Sequence, residues 1–247
     1  MWILEGDWFL TMTLRWLICF SAVGILQAAI ITGRIELRDS KDPAVRKKQD
    51  YSGVVVWLER VDKAAGPKPV PVRAKILQKD KTFSPHVLTV PVGSTVDFPN
   101  LDPVFHNAFS NYDGQVFDVG LYAPGSSRSV RFARPGIVRI FCNIHSTMTA
   151  IVAVVDSLWF DTTKPDGRFE LRDVPAGEYQ LRVFHERATV ASLNAAQRPV
   201  LVTGQSATLP PISVSESGYL SIPHKDKFGR DYKPVPEDTG IYPVTRK

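Results

Sequence analysis

Apolar and polar residues alternate in short bursts along most of this chain, with the period of two that belongs to β-strands rather than the period near 3.6 of helices. Residues 32–37 form the first burst, and a polar, charged stretch follows as far as Asp50. Residues 53–59, Gly-Val-Val-Val-Trp-Leu-Glu, are almost continuously apolar and predict a strongly buried strand. Residues 64–71 are built from Ala, Gly, Pro, Lys and Val and break regular structure, so they read as a linker. Eight short strands are predicted after it, at 74–77, 87–90, 94–98, 106–110, 116–121, 127–132, 136–141 and 149–155. Turn signals such as Pro91-Val92-Gly93 and Pro124-Gly125 separate them. Val96 with Phe98, and Val130 with Phe132, are expected to face a core, with Asp97 and Arg131 facing water. Strands at this spacing predict a two-sheet Greek-key sandwich.

The texture then changes. Residues 160–171 read as a hairpin with Asp166-Gly167 at its tip, and residues 174–183 as a further turn and strand. From Ser213 onward Tyr, Pro, Lys and Asp dominate without a core pattern, which predicts an extended or partly disordered tail over 213–247. The 19 prolines and 16 glycines fit many short strands, and no long stretch beyond the N-terminus carries helical periodicity. The fold class read from the pattern is all-β.

Residues 1–29 look like an export signal. Arg15 precedes an apolar run from Trp16 to Leu26, and Ala28 and Ala29 offer a cleavage point. That run is shorter than the roughly 20 apolar residues that span a bilayer, although an uncleaved anchor is the competing reading. Glu5 and Asp7 are unusual in such a segment, so Met12 is an alternative start. The expectation is a periplasmic protein with no stable membrane span after cleavage. The net charge of +5 becomes about +6 once Glu5, Asp7 and Arg15 are gone, enough to steer an acidic redox partner. Arg46-Lys47-Lys48 is the only dense basic block, which argues against nucleic acid.

Of two cysteines, Cys19 lies in the presumed signal, leaving Cys142 alone. A lone thiol in an oxidising compartment is a liability unless it is buried or bound to metal. Cys142 closes the strand 136–141, and His145 and Met148 follow within six residues. Thiolate, imidazole and thioether suit copper, whose blue sites take two imidazoles, one thiolate and a weak axial thioether. His106, in Asn100-Leu101-Asp102-Pro103-Val104-Phe105-His106-Asn107, is the candidate second imidazole. The metal ligands read from the sequence are therefore His106, Cys142, His145 and Met148. His86 is a further histidine near this region, weighed between approach to the metal and an ordinary role. His185 and His224 are expected at the surface.

Cys-x2-His-x2-Met at the end of a strand, with an upstream His-Asn after an Asn-x-Asp turn, resembles the cupredoxins, the small blue copper proteins. The tight loop is similar to that of amicyanin, whereas plastocyanin-type loops are longer. Phe83-Ser84-Pro85 is also a cupredoxin-like opening. The chain further resembles periplasmic proteins labelled "methylamine utilization protein". Residues 160–183 resemble the carboxypeptidase-regulatory-like (transthyretin-like) sandwich, whose opening strands are expected at 30–62. The implied order is signal 1–29, first sandwich strands 30–62, linker 63–73, cupredoxin domain 74–156, remaining sandwich 157–212 and tail 213–247. The cupredoxin unit either interrupts the other sandwich or is followed by it. The resemblance implies one copper ion cycling between Cu(I) and Cu(II), electron transfer with a redox protein partner, and no enzyme activity. It also implies that Asn107 braces the Cys142 loop, and Phe105, Phe109 and Phe141 are expected to exclude water. Copper storage or delivery without an electron partner is the alternative, as is an adhesion or carbohydrate-binding sandwich with a vestigial metal site.

Overall fold

The computed structural model describes residues 28–62, 68–111, 114–220 and 223–232. In chain order the elements are β1 (Ala29–Arg38), α1 (Pro43–Lys48), β2 (Val55–Arg60), β3 (Arg73–Lys75), β4 (Leu77–Lys79), β5 (Thr82–Ser84), β6 (Val87–Pro91), β7 (Thr95–Pro99) and β8 (Phe109–Ser110). They continue with β9 (Phe117–Asp118), β10 (Ser127–Arg131), β11 (Gly136–Phe141), β12 (Thr149–Val155), β13 (Phe160–Thr162), β14 (Arg168–Val174), β15 (Gly177–Phe184), α2 (Val190–Ala196), β16 (Arg198–Val202), β17 (Ala207–Thr208) and β18 (Ile212–Ser215). Among the described residues the protein is all-β apart from two short helices.

Strands from the two ends of this order pair with one another. β1 lies between β14 and β17 and also pairs with β18, while β2 lies between β13 and β15, with β16 outside β15. Their facing residues, including Ile31, Ile35, Leu58, Phe169, Tyr179 and Val214, form one core. The Asp166-Gly167 tip is a tight turn with Gly167 at φ +79°, and a Cβ there would lie 2.1 Å from the Ile35 carbonyl oxygen.

The strands between residues 73 and 155 make their own sheets, β10-β7-β3 and β6-β12-β11-β8-β9, with β4-β5 as a separate pair. Ile76, Phe83, Val96, Phe98, Phe132 and Ile140 belong to the core of this second unit. Cys142 and Met148 belong to the same cluster.

A third apolar cluster joins the two cores. Val55 and Phe184 meet Ile151 and Ala153, with Trp57, Val87 and Ile137 beside them. This contact explains why residues 53–59 lack alternation. Val54, Val56 and Leu58 face the first core while Val55 and Trp57 face the seam. A strand covered on both sides reads as a continuous apolar run. Each such side chain fully withdrawn from water contributes about 1.5–3 kcal/mol. β12 does the same, with Ala150, Val152 and Val154 inward and Ile151 and Ala153 in the seam.

The structure corrects several expectations. The polar stretch before Asp50 contains α1, started by Asp42, whose side chain accepts from Ala44 N, and ended at Gln49 in the left-handed region. Asp97 does face away from the core but is buried, because Arg73 and Ser129 cover its carboxylate at 2.7 and 2.6 Å. The tail expected from Ser213 begins with a strand: β18 pairs in parallel with Ile35 to Arg38, and Val214 is wholly buried. Two alternating residues were too few to register as a pattern. The linker expected over 63–73 ends in β3, which adds to β7 through backbone bonds that its composition does not advertise. The signal segment lies outside the described residues except for Ala28 and Ala29. Ala29 is already buried in β1 opposite Val174, one residue before the expected boundary.

Candidate metal centre

The centre is built at the end of β11, where Phe141 pairs with Thr149 of β12 on one side and Phe109 of β8 on the other. Strand alternation turns Val138 and Ile140 inward and carries Cys142 to the same side. The chain must then reverse between Cys142 and Met148. Cys142 N donates to Met148 O at 3.2 Å and Met148 N to His145 O at 3.1 Å, so the seven-residue reversal is closed by two backbone bonds. Cys142 and Met148 are both fully buried, and His145 is partly exposed.

His106 lies three residues before β8, the strand next to β11 in the same sheet. It forms a two-bond antiparallel bridge with Tyr122, with its own N–H donating at 3.2 Å and its carbonyl accepting at 2.9 Å. Its side chain is completely buried. Its Nδ1 lies 3.9 Å from Cys142 Sγ, and Nδ1 of His145 lies 3.6 Å from the same sulfur. The three ligand atoms are all within 4.8 Å of one another. Thus 36 residues of separation collapse to a contact between His106 and Cys142. Met148 occupies the same loop and the same buried cluster as Cys142.

These distances test whether a metal fits. An ion bonded at about 2.3 Å to sulfur and about 2.05 Å to nitrogen, with angles between tetrahedral and trigonal, holds S and N about 3.6–3.8 Å apart. The two sulfur–nitrogen distances bracket that range, so the donors fit a single ion. Burial pushes the Cys142 thiol up, against the backbone N–H groups of Ile144, Asn107 and His145, which favour the thiolate. A buried thiolate therefore needs a cation at this point.

Surrounding groups hold the donors still. Asp102 Oδ2 lies 2.6 Å from His106 Nε2, leaving Nδ1 to face the sulfur. The carboxylate also accepts from Asp80 N at 2.6 Å and Lys81 N at 2.9 Å. Burial acts to raise its pKa, but the bonds from Lys81, His106 and Asp80 hold it below the usual carboxylate range. The turn preceding it is fixed by Asn100, whose Oδ1 accepts from Asp102 N at 3.0 Å and whose Nδ2 donates to Val104 O at 2.8 Å. Asn107 accepts from Asn143 N at 3.3 Å and donates to Asp118 at 2.7 Å, tying the His106 strand to the Cys142 loop.

Phe109 and Phe141 are buried with ring centroids 5.8 Å apart. Phe105 is 46% exposed and does not shield the site as expected. His86 is not in the cluster. Its Nε2 lies 2.8 Å from Glu186 and its Nδ1 3.0 Å from Thr149 O, so it bridges the seam.

His185 is not the surface histidine expected, whereas His224 is partly exposed. His185 is buried with Nε2 2.9 Å from Glu216, itself bonded by Arg187 and Ser40. His224 stacks on Phe141 with centroids 4.2 Å apart, because the C-terminal segment returns to the metal loop. Asp102 was legible four residues before His106 in its Asn-x-Asp turn. No local signal marks the returning segment.

No protein-family description matches this chain, and no curated protein does. Parts of it are similar to solved cupredoxin structures. A purple cupredoxin from Nitrosopumilus maritimus is 28% identical over 33% of this chain and 99% of its own, with a TM-score of 0.30. A variant of amicyanin holding Cu(I) is 16% identical over 42% and 99%, at 0.32. A copper-containing nitrite reductase from Thermus scotoductus SA-01 is 25% identical over 50% of this chain and 28% of its own, at 0.33. At these scores the likenesses carry no weight beside the geometry of the side chains.

Proposed function

We propose that this chain is an exported blue copper protein that carries single electrons, with one copper held by His106, Cys142, His145 and Met148. The supporting observation is the convergence of two imidazole Nδ1 atoms on one buried sulfur at 3.9 and 3.6 Å. Copper bound there would supply a one-electron couple between Cu(I) and Cu(II). The chain's own part is positioning. Cys142 contributes the thiolate, His106 is oriented by Asp102, His145 faces the partly exposed side, and Met148 completes the loop as a weak axial donor. With all four positions filled by protein, no position stays open for a substrate, which favours a carrier over an enzyme. Burial of the other three donors limits rearrangement between oxidation states.

We read residues 74–156 as a cupredoxin unit interrupting a transthyretin-like sandwich made from residues 30–62 and 157–212. Pairing of β1 and β2 with β14 and β15 supports this. Chain ends that lie close together tolerate such an interruption. Among the described residues no helix is long and apolar enough to cross a membrane.

The test is metal analysis with a visible spectrum of purified protein. One copper per chain, with an intense thiolate-to-copper band that bleaches reversibly on reduction, is expected. Copper that stays colourless after mild oxidation would favour storage or delivery, and failure to retain copper would sink the proposal.

A further inference from the structure

Three of the four proposed ligands sit on one loop, residues 142–148, so a metal ion leaves most easily when that loop lifts. The chain itself holds the loop down. Tyr232 Oη donates to the carbonyl of Cys142 at 2.7 Å. Lys227 N donates to Asn143 Oδ1 at 2.9 Å, and Lys227 Nζ pairs with Asp118 at 2.7 Å. His224 Nε2 lies 2.8 Å from the Ser146 carbonyl while its ring covers Phe141. Asp118 in turn holds Asn107, the residue that accepts from Asn143 N. These contacts join the segment to both sides of the loop.

The segment keeps its shape without an apolar core of its own. Asp226 accepts from Phe228 N at 2.9 Å and Arg230 N at 2.8 Å, and Asp226 N donates to Arg230 O at 2.8 Å. Gly229 supplies the positive φ of +77° in that turn. A side-chain acceptor and a glycine thus make a rigid turn from a sequence of polar character. It places Lys227 beside Asn143 and lets the chain come back to put Tyr232 beside Cys142.

We propose that residues 223–232 are an intramolecular clasp that gates metal exchange, with Tyr232 and His224 as positioning residues that hold the ligand loop shut. This rests on the copper reading above. Lifting the loop requires breaking the bonds to Cys142, Asn143 and Ser146 together. Release of the clasp opens the loop to chelators or to a protein that delivers the metal.

Two measurements on the full chain test this. In copper-loaded protein, loss of copper to a chelator is expected to be about five-fold faster in Tyr232→Phe, the effect of one net hydrogen bond, and about 25-fold faster when His224→Ala is added. In metal-free protein, hydrogen exchange at the amides of Cys142 and Met148, whose bonds close the loop, is expected to accelerate by similar factors. Amides of β15 serve as the folding control and are expected not to change. Unchanged loop exchange in the metal-free double variant, with β15 intact, overturns the clasp. Faster loop exchange in a protein that takes up no copper supports the clasp as a hold on the loop while removing the copper reading. Equal acceleration of loop and β15 amides also overturns it, because the segment would then be serving general stability.

Discussion

Replacing Asp102 with Asn tests the geometry of the centre most directly. The carboxylate is 6% exposed and accepts three bonds, from Asp80 N and Lys81 N and at His106 Nε2. An amide has one acceptor oxygen and one donor NH2. In either orientation at least one backbone N–H then faces an NH2 group. Losing a charge-assisted bond costs about 1.5–3 kcal/mol, and a stranded buried N–H adds about 1–3 kcal/mol. We therefore expect D102N to lower unfolding free energy by about 3 kcal/mol in the metal-free protein. The second effect concerns the metal. When the amide NH2 faces His106, it donates to Nε2 and leaves the ring proton on Nδ1, the atom turned toward Cys142 Sγ. That tautomer cannot bind metal through Nδ1. Loss of a partner that orients a ligating histidine lowers metal affinity about 10–100-fold. Urea unfolding of the metal-free protein and competition with a chelator of known affinity measure the two effects separately. A D102N protein that binds copper within two-fold of the parent would refute the assigned role of Asp102 in orienting His106.

Cys142→Ser is expected to abolish the intense visible band while costing about 1–2 kcal/mol, since a hydroxyl between His106 and His145 keeps bonding partners; an unchanged band would remove Cys142 from the site. Glu216 provides a pH prediction. Burial opposes its charge, yet the bonds from His185, Arg187 and Ser40 hold its pKa down to about 2. Its contribution, up to about 3 kcal/mol, is present above the ordinary carboxylate range and is lost as pH falls toward 2. E216Q should flatten the acid side of the stability profile between about pH 5 and 2, measured by urea midpoints, and a profile as steep as the parent's would count against the pair. His86 has the opposite sign. Glu186 raises its pKa, so the seam contact is fully present below the ordinary histidine value and weakens as pH rises through the raised one; H86Q should remove that alkaline loss, and persistence of the loss would assign it elsewhere. Gly167→Ala forces a Cβ to within 2.1 Å of Ile35 O at φ +79° and should cost more than about 2 kcal/mol by thermal unfolding; a neutral result would mean the hairpin tip adopts another turn.

The local chemistry is legible in the residues themselves. Alternation specified most strands, Asp166-Gly167 specified the hairpin tip, and the pairing of strand end with Cys-x2-His-x2-Met put three candidate donors on one loop. These are features whose causes lie within about ten residues. His106 was nameable as a candidate donor, but its contact with Cys142 is decided by the Tyr122 bridge and by the pairing of β8 with β11. The rest follows from pairing and packing between distant parts of the chain. Asp97 and His185 are buried because distant partners, Arg73 and Glu216, compensate their polarity. The seam of Val55, Ile151, Ala153 and Phe184 exists only when two sandwiches meet. The return of His224, Lys227 and Tyr232 to the metal loop depends on hydrogen bonds between side chains and backbone groups up to 90 residues apart. Such bonds impose no periodicity on the chain, and so leave no trace in its pattern of apolar and polar residues.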